Sequence, residues 1–246
     1  MFRYRLKYML LCGLLLFSGG VVAEQDSTGT ASALNTRGYH AYKTGEFSKA
    51  LDLFKQAVKI DPTYGQAHYN LACTLGVLRQ KEGPCGNHEV YLEDIINSLH
   101  STLKYLPAKR EKMLADPDLK PVHDTFAWQK IRGLTISTTD EVKQILVAVS
   151  WFGPAPGAFG PMGGFNFLED GTFSYWYLDF TNDEVVKKQV TGEYVVSGNR
   201  VEFTFDIMQE KSGSFQGTLT ENGLLILEGK DAPEGPYSDD RSDCSA

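Results

Sequence analysis

Histidine stops at residue 123, and cysteine occurs only at 12, 73, 85 and 244. The second half of the chain therefore has no imidazole, the commonest general base and metal ligand near neutral pH. The sequence also lacks the G-x-S-x-G turn of a nucleophile elbow, the H-E-x-x-H pair of a zinc protease and the acidic loop of an EF-hand. These absences point away from an enzyme, a resident metal and a cofactor. Basic residues are the minority, with 24 Lys and Arg against 31 Asp and Glu. That balance speaks against nucleic acid or an anionic membrane as a main partner.

Long apolar runs are missing too. Met9–Phe17 is too short to span a bilayer as a helix. Arg3, Arg5 and Lys7 precede it, and Val21-Val22-Ala23 puts small residues before Glu24. This is the layout of a cleaved secretory signal over residues 1–23, followed by a short linker, 24–30. The expectation is an exported protein, periplasmic or secreted, that does not insert in a membrane after cleavage. Removing 1–23 takes three basic residues and no acidic ones, which leaves 21 Lys and Arg against 31 Asp and Glu, a net of −10.

What is present begins with a repeat. Residues 31–64 form a 34-residue unit with Gly38 at position 8, Gly45 at 15, Phe47 at 17, Ala50 at 20, Phe54 at 24, Ala57 at 27 and Pro62 at 32. Gly38 and Ala50 are small enough to let two helices approach. Phe47, Leu51 and Phe54 recur at helical spacing and fill the seam. Gly45 suits a left-handed helix end, and Pro62 opens the next turn without needing an N–H. The stretch "GEFSKALDLFKQAVKIDP" resembles the tetratricopeptide repeat. A second unit begins at Gly65 with Leu71 and Ala72, and an 11-residue insertion around "RQKEGPCGNHE" separates its helices. The second of these, roughly 89–106, carries Leu92, Ile95, Ile96, Leu99, Leu103 and Leu106 on one face. A third segment gives a helix to about Leu114, a turn at Asp116-Pro117 and a helix near 125–131, with Phe126, Trp128 and Ile131 expected to cover the end of the stack. The helical domain spans 31–136.

In repeats of that family the first helix of each unit lines a concave groove. The resemblance maps the groove positions to Ser32, Asn35, Tyr39 and Tyr42, then to Gln66, Tyr69, Cys73 and Gly76. It implies an adaptor that holds a protein or peptide partner in the cell envelope through Asn35, Tyr39, Tyr42, Gln66 and Tyr69, with tyrosines offering flat contact area and hydroxyl tips. The alternative is that these tyrosines only pack against the neighbouring helix.

Cys73 and Cys85 stand close in sequence. In an exported chain such a pair reads first as a disulfide tying down the insertion. Two separate thiols, or a zinc site completed by His68 and His88, are the other readings. Cys244 lies in the tail, as a thiol or an intermolecular bridge.

Thr138-x-x-Glu141 is a capping box for a linking helix within 137–150. After Trp151 the hydrophobic period changes from 3.6 to 2. Turn signals then bound strands near 163–168, 172–180, 185–196, 200–207, 214–220 and 224–228. The fold class is therefore multidomain, with all-α helical hairpin repeats followed by an all-β antiparallel meander or barrel over 151–229. The pattern of Trp151, Gly153, Phe167, Asp170, Gly171, Gly192, Tyr194 and the strand from Val201 resembles the lipocalin-like domains of secreted bacterial proteins. That resemblance implies an alternative function, binding of a small apolar ligand, with Trp151, Phe159, Phe165, Phe173, Tyr175 and Trp176 as pocket residues. A filled barrel core is the competing expectation. "GPAPGAFGPMGG", from Gly153 to Gly164, has no Lys and precedes a strand, so it is no phosphate loop. It reads as a connector into the meander, with a flap carrying Phe159 and Met162 as the other possibility. Residues 230–246 read as a disordered acidic tail.

Overall fold

The computed structural model describes residues 29–153, 162–180, 185–207 and 211–241. The expected signal sequence, most of the linker after it, Phe159 and Cys244 lie outside these. The architecture is helical in the first half and an antiparallel sheet in the second.

Helices α1 (Ala31–Lys43) and α2 (Phe47–Ile60) form the first hairpin. Thr30 caps α1 by accepting from the Ala33 N–H at 3.2 Å. Gly45, at φ +80°, reverses the chain, and the Glu46 N–H closes the turn on Ala41 O at 2.9 Å. Gly38 meets the Phe54 ring so closely that a Cβ there would stand 2.7 Å from Cε1, which explains the small residue at that position. Helices α3 (Gly65–Glu82) and α4 (Leu92–Tyr105) form the second hairpin. The insertion falls between them, although α3 absorbs its first residues. A 3-10 turn, Pro107–Lys109, leads into α5 (Arg110–Leu114), and a second, Pro117–Val122, precedes α6 (Phe126–Arg132). Among the described residues no helix is long and apolar enough to cross a membrane.

Of the three residues expected to cap the stack, Trp128 and Ile131 join the helical core. Phe126 does not. It packs into the sheet's core, with its ring against Gly223. Helix α7 (Thr139–Ala148) carries the expected capping box, with the Glu141 N–H on Thr138 Oγ1 at 3.3 Å. Yet it is more than a link, because Val142, Ile145 and Leu146 are fully buried in the sheet's core.

Seven strands follow in sequence order: β1 (Trp151–Phe152), β2 (Gly163–Phe167), β3 (Thr172–Asp179), β4 (Val186–Ser197), β5 (Arg200–Ile207), β6 (Lys211–Leu219) and β7 (Leu225–Glu228). All neighbours are antiparallel. The alternation anticipated for β5 holds at Val201 and Phe203, both buried, while Glu202 and Thr204 are exposed. The sheet curls round an aromatic core centred on Phe165, whose ring lies 4.7–5.9 Å from those of Phe167, Phe173, Tyr175, Phe203 and Tyr237. The glycine- and proline-rich stretch joins β1 to β2, in the connector's place; its residues 154–161 lie outside the described chain.

The tail corrects the sequence reading. Residues 230–241 are not a disordered extension. Tyr237 is 1 % exposed. It exchanges both backbone hydrogen bonds with Leu225 of β7, at 2.8 and 3.0 Å, and Ser238 does the same with Phe152 of β1, at 2.7 and 2.9 Å. Two residues thus bridge the first and last strands, whose unpaired edges would otherwise face solvent. Composition concealed this, because one buried aromatic and four backbone bonds outweigh the polar residues around them.

Candidate functional site

The inner faces of α1 and α3 look towards the segment 107–118. Between them lies a cavity of 420 Å³. The five groove residues expected from the repeat, Asn35, Tyr39, Tyr42, Gln66 and Tyr69, all line it, and so does Cys73. Their helical spacing explains the convergence, since residues three and four apart share a face. Tyr39 is 52 % exposed at the rim, whereas Tyr69 is 3 % exposed at the base. Gly76, the last of the expected groove positions, contacts the backbone of Asp118 instead of opening to the cavity.

The polar groups are organised. Gln66 donates to Asn70 Oδ1 at 2.8 Å, and Asn70 donates to Asn35 Oδ1 at 2.8 Å. This amide relay crosses from α3 to α1 and satisfies groups that burial would otherwise penalise. On the far wall stand Asp116 and Asp118, which the sequence reading treated only as a turn. The Tyr42 hydroxyl donates to Asp118 and the Tyr69 hydroxyl to Asp116. The Cys73 thiol lies 3.6 Å from the same Asp116 oxygen. Lys109 and Lys112 place their ammonium groups 5.0 and 5.7 Å from the centre of the Tyr69 ring. These four residues were missed because they come from outside the two repeats. The "DPD" triplet around Pro117 was the visible signal.

Burial, reinforced by the neighbouring carboxylates, pushes both tyrosine hydroxyls and the Cys73 thiol well above their ordinary ranges. At neutral pH they are protonated donors. Cys73, Asp116 and Asp118 bring one ligand atom each within 4.8 Å of one another, and the Tyr42 and Tyr69 hydroxyls donate to the two carboxylates. The arrangement suits recognition of a polar, extended partner.

Burial, then the charge of Asp116, raises the Asp118 carboxyl above the ordinary aspartate value of 3.8, against the pull of the Tyr42 hydroxyl. The folded state therefore holds this proton more tightly than the unfolded chain does, and ionising the group costs stability. That cost is present above the raised value and is relieved as pH falls towards 3.8. Asp118→Asn should accordingly gain on the wild type at pH 7, and the gain should shrink on acidification. Denaturant midpoints for both proteins across pH 4–7 measure this, and a gain that grows towards low pH would contradict it.

The cysteine expectations need correction. Cys73 is a free, buried thiol, so no Cys73–Cys85 bond ties the insertion. Helix α3 continues nine residues past Cys73, a rise of about 14 Å, and carries the turn holding Cys85 beyond disulfide reach. The zinc alternative fails likewise. His68 Nε2 lies 2.9 Å from Pro62 O, His88 Nδ1 lies 2.9 Å from Glu82, and Cys73 faces Asp116.

The anticipated apolar pocket is mostly core. Trp151, Phe165 and Phe173 are 1–4 % exposed, and the Trp151 indole donates to Leu146 O at 3.0 Å. Trp176 points to the outer face, beneath the Lys187 ammonium at 4.4 Å. Among the described residues of that set, Phe173 and Tyr175 line a recess, a 270 Å³ space shared with Tyr177, Val190, Phe205 and Phe215. The rest was filled because the inner faces of seven strands and one helix supply enough aromatic volume to close it.

Residues 31–64 match the family model of the tetratricopeptide repeat. This is the first hairpin, which contributes Asn35, Tyr39 and Tyr42 to the cavity. Comparison of the chain with curated proteins gives no match.

Proposed function

We propose that this protein is an exported adaptor whose helical half holds a peptide segment of a partner in the cell envelope, with the curled sheet as an accessory domain. The convergence of Asn35, Tyr39, Tyr42, Gln66 and Tyr69 on one cavity carries the reading, because repeats of the matching family generally mediate protein–protein contacts. An extended peptide would find the exposed Tyr39 ring, an amide relay able to bond its backbone, and lysine and aspartate side chains on the opposite wall. The acidic balance of the chain argues against nucleic acid as a partner, and the signal-like residues 1–23 support export.

The test is affinity capture from envelope extract with the mature chain, followed by titration of peptides from the captured partner. Tyr39→Ala removes an exposed rim ring and should weaken peptide binding about tenfold while leaving thermal unfolding unchanged, as expected for an aromatic contact worth roughly 1–2 kcal/mol. Unaltered affinity in Tyr39→Ala and in the Tyr39/Tyr42/Tyr69 triple variant would remove the groove assignment. A second reading, a small apolar ligand in a lipocalin-like barrel, is favoured only by the recess beside Phe173 and Tyr175. Native mass spectrometry of the full chain decides it, and absence of any bound apolar molecule counts against it.

A further inference from the structure

The aromatic side chains of the sheet do not all close its interior. Phe173, Tyr175, Tyr177, Phe205 and Phe215 surround the 270 Å³ recess, and Asp231 brings a carboxylate to the same wall. The ladder explains why they converge. Phe173, Tyr175 and Tyr177 alternate along β3 onto one face. Gly192 of β4 lies between Phe173 and Phe205, and a Cβ there would stand 2.8 Å from the Phe173 ring and 2.9 Å from Phe205 Cβ. β4 pairs with β5 only from Gly192 to Ser197, whereas its pairing with β3 continues to Val186. The sheet therefore parts at Gly192, and Val190 of one strand and Phe205 of the other both stand in the wall of the recess. Asp231 comes from the tail, which Tyr237 fastens back onto Leu225 of β7. Among the described residues no Lys, Arg or His lines the recess.

A hydrocarbon would use only the volume of such a site. The faces of aromatic rings carry the negative part of a quadrupole, which attracts cations most strongly where water is excluded. The recess is small beside the usual ligand site of about 300–1,000 Å³, which speaks against a lipid-sized guest. A primary ammonium is strongly hydrated and brings three N–H donors that need acceptors. A quaternary ammonium has no N–H and presents its charge behind methyl groups that pack on rings. We propose that this recess binds a small quaternary ammonium compound, its charge held by the aromatic rings and Asp231. The proposal rests on the recess of the second reading above and adds the ligand's charge. It does not depend on peptide binding by the helical half.

The test is calorimetric titration of the full chain with phenyltrimethylammonium and with tert-butylbenzene, which has the same shape without the charge. The ammonium should bind at least about tenfold more tightly. Tyr177→Leu keeps apolar volume and removes a ring, and Asp231→Asn removes the charge of the carboxylate. Both residues are half-buried, so neither change opens the core. Each should weaken ammonium binding about fivefold to tenfold and leave tert-butylbenzene unchanged. Tyr39→Ala, in the helical cavity, should alter neither affinity. Equal affinity for the two compounds would return the recess to a purely apolar ligand, and binding of neither would remove the second reading as well. Ammonium binding that survives both sheet substitutions, or that falls in Tyr39→Ala instead, would overturn the site.

Discussion

Tyr237→Ala should cost the protein about 3–5 kcal/mol of stability, the range for deleting a fully buried aromatic. The residue stands nine positions beyond the last strand, yet its ring lies edge-on to Phe165 with centroids 4.9 Å apart, and its hydroxyl lies 3.1 Å from that of Tyr175. Its backbone completes β7, and the following Ser238 completes β1. Removing the ring leaves a cavity at the seam and loosens the two residues that bridge it. Tyr237→Phe keeps the ring and loses one hydroxyl contact, so its cost should be near 1 kcal/mol. Ending the chain before Tyr237 should do at least the damage of the alanine variant, because four backbone hydrogen bonds go as well. Urea unfolding followed by near-ultraviolet circular dichroism measures all three. A loss below about 1 kcal/mol for Tyr237→Ala would mean that the seam holds without this residue.

Gly76→Ala should be the most disruptive single-methyl change in the helical half. A Cβ at Gly76 would stand 2.0 Å from the carbonyl oxygen of Asp118, a backbone atom. Neither α3 nor the turn can yield by rotating a side chain, so the turn must move. Overpacking of this kind typically costs about 1–3 kcal/mol. The same turn carries Asp116 and Asp118, so the change should also separate these carboxylates from Tyr69 and Tyr42 and uncover Cys73. The native-state reaction of Cys73 with a thiol reagent should therefore speed up, and peptide binding should fall with it. Gly38→Ala is the comparison. Its Cβ meets only the edge of the Phe54 ring, at 2.7 Å, and a ring can shift. If the two substitutions cost the same and Cys73 remains protected in Gly76→Ala, the turn is not fixed by this contact.

Both predictions concern features that the sequence hid in different ways. Gly76 was visible as a groove position, but its neighbour is a backbone carbonyl forty-two positions away in the chain. Such a contact has no local signature. Tyr237 lay in a stretch rich in Pro, Gly, Asp and Ser, where composition argued for disorder. Phe126 was read correctly as an apolar helix residue and assigned to the wrong core, because the amphipathic pattern of α6 does not say which neighbour each side chain faces. The Cys73–Cys85 pairing was drawn from closeness in sequence, and the length of α3 defeated it.

By itself the sequence determined the rhythm of this protein. The 34-residue spacing of Gly38, Gly45, Ala50, Phe54 and Pro62 specified a helical hairpin, and the resemblance to the tetratricopeptide repeat implied the groove positions on α1 and α3. The alternation and turn residues after Trp151 specified the strands and their order, since both depend on neighbours within a few residues. Tertiary structure alone decided what faces what. It set Asp116, Asp118, Lys109 and Lys112 opposite the tyrosines, filled the sheet's interior around Phe165, and used Tyr237 and Ser238 to join the first strand to the last. Those outcomes depend on shape and buried hydrogen bonds between distant segments, which no local window contains.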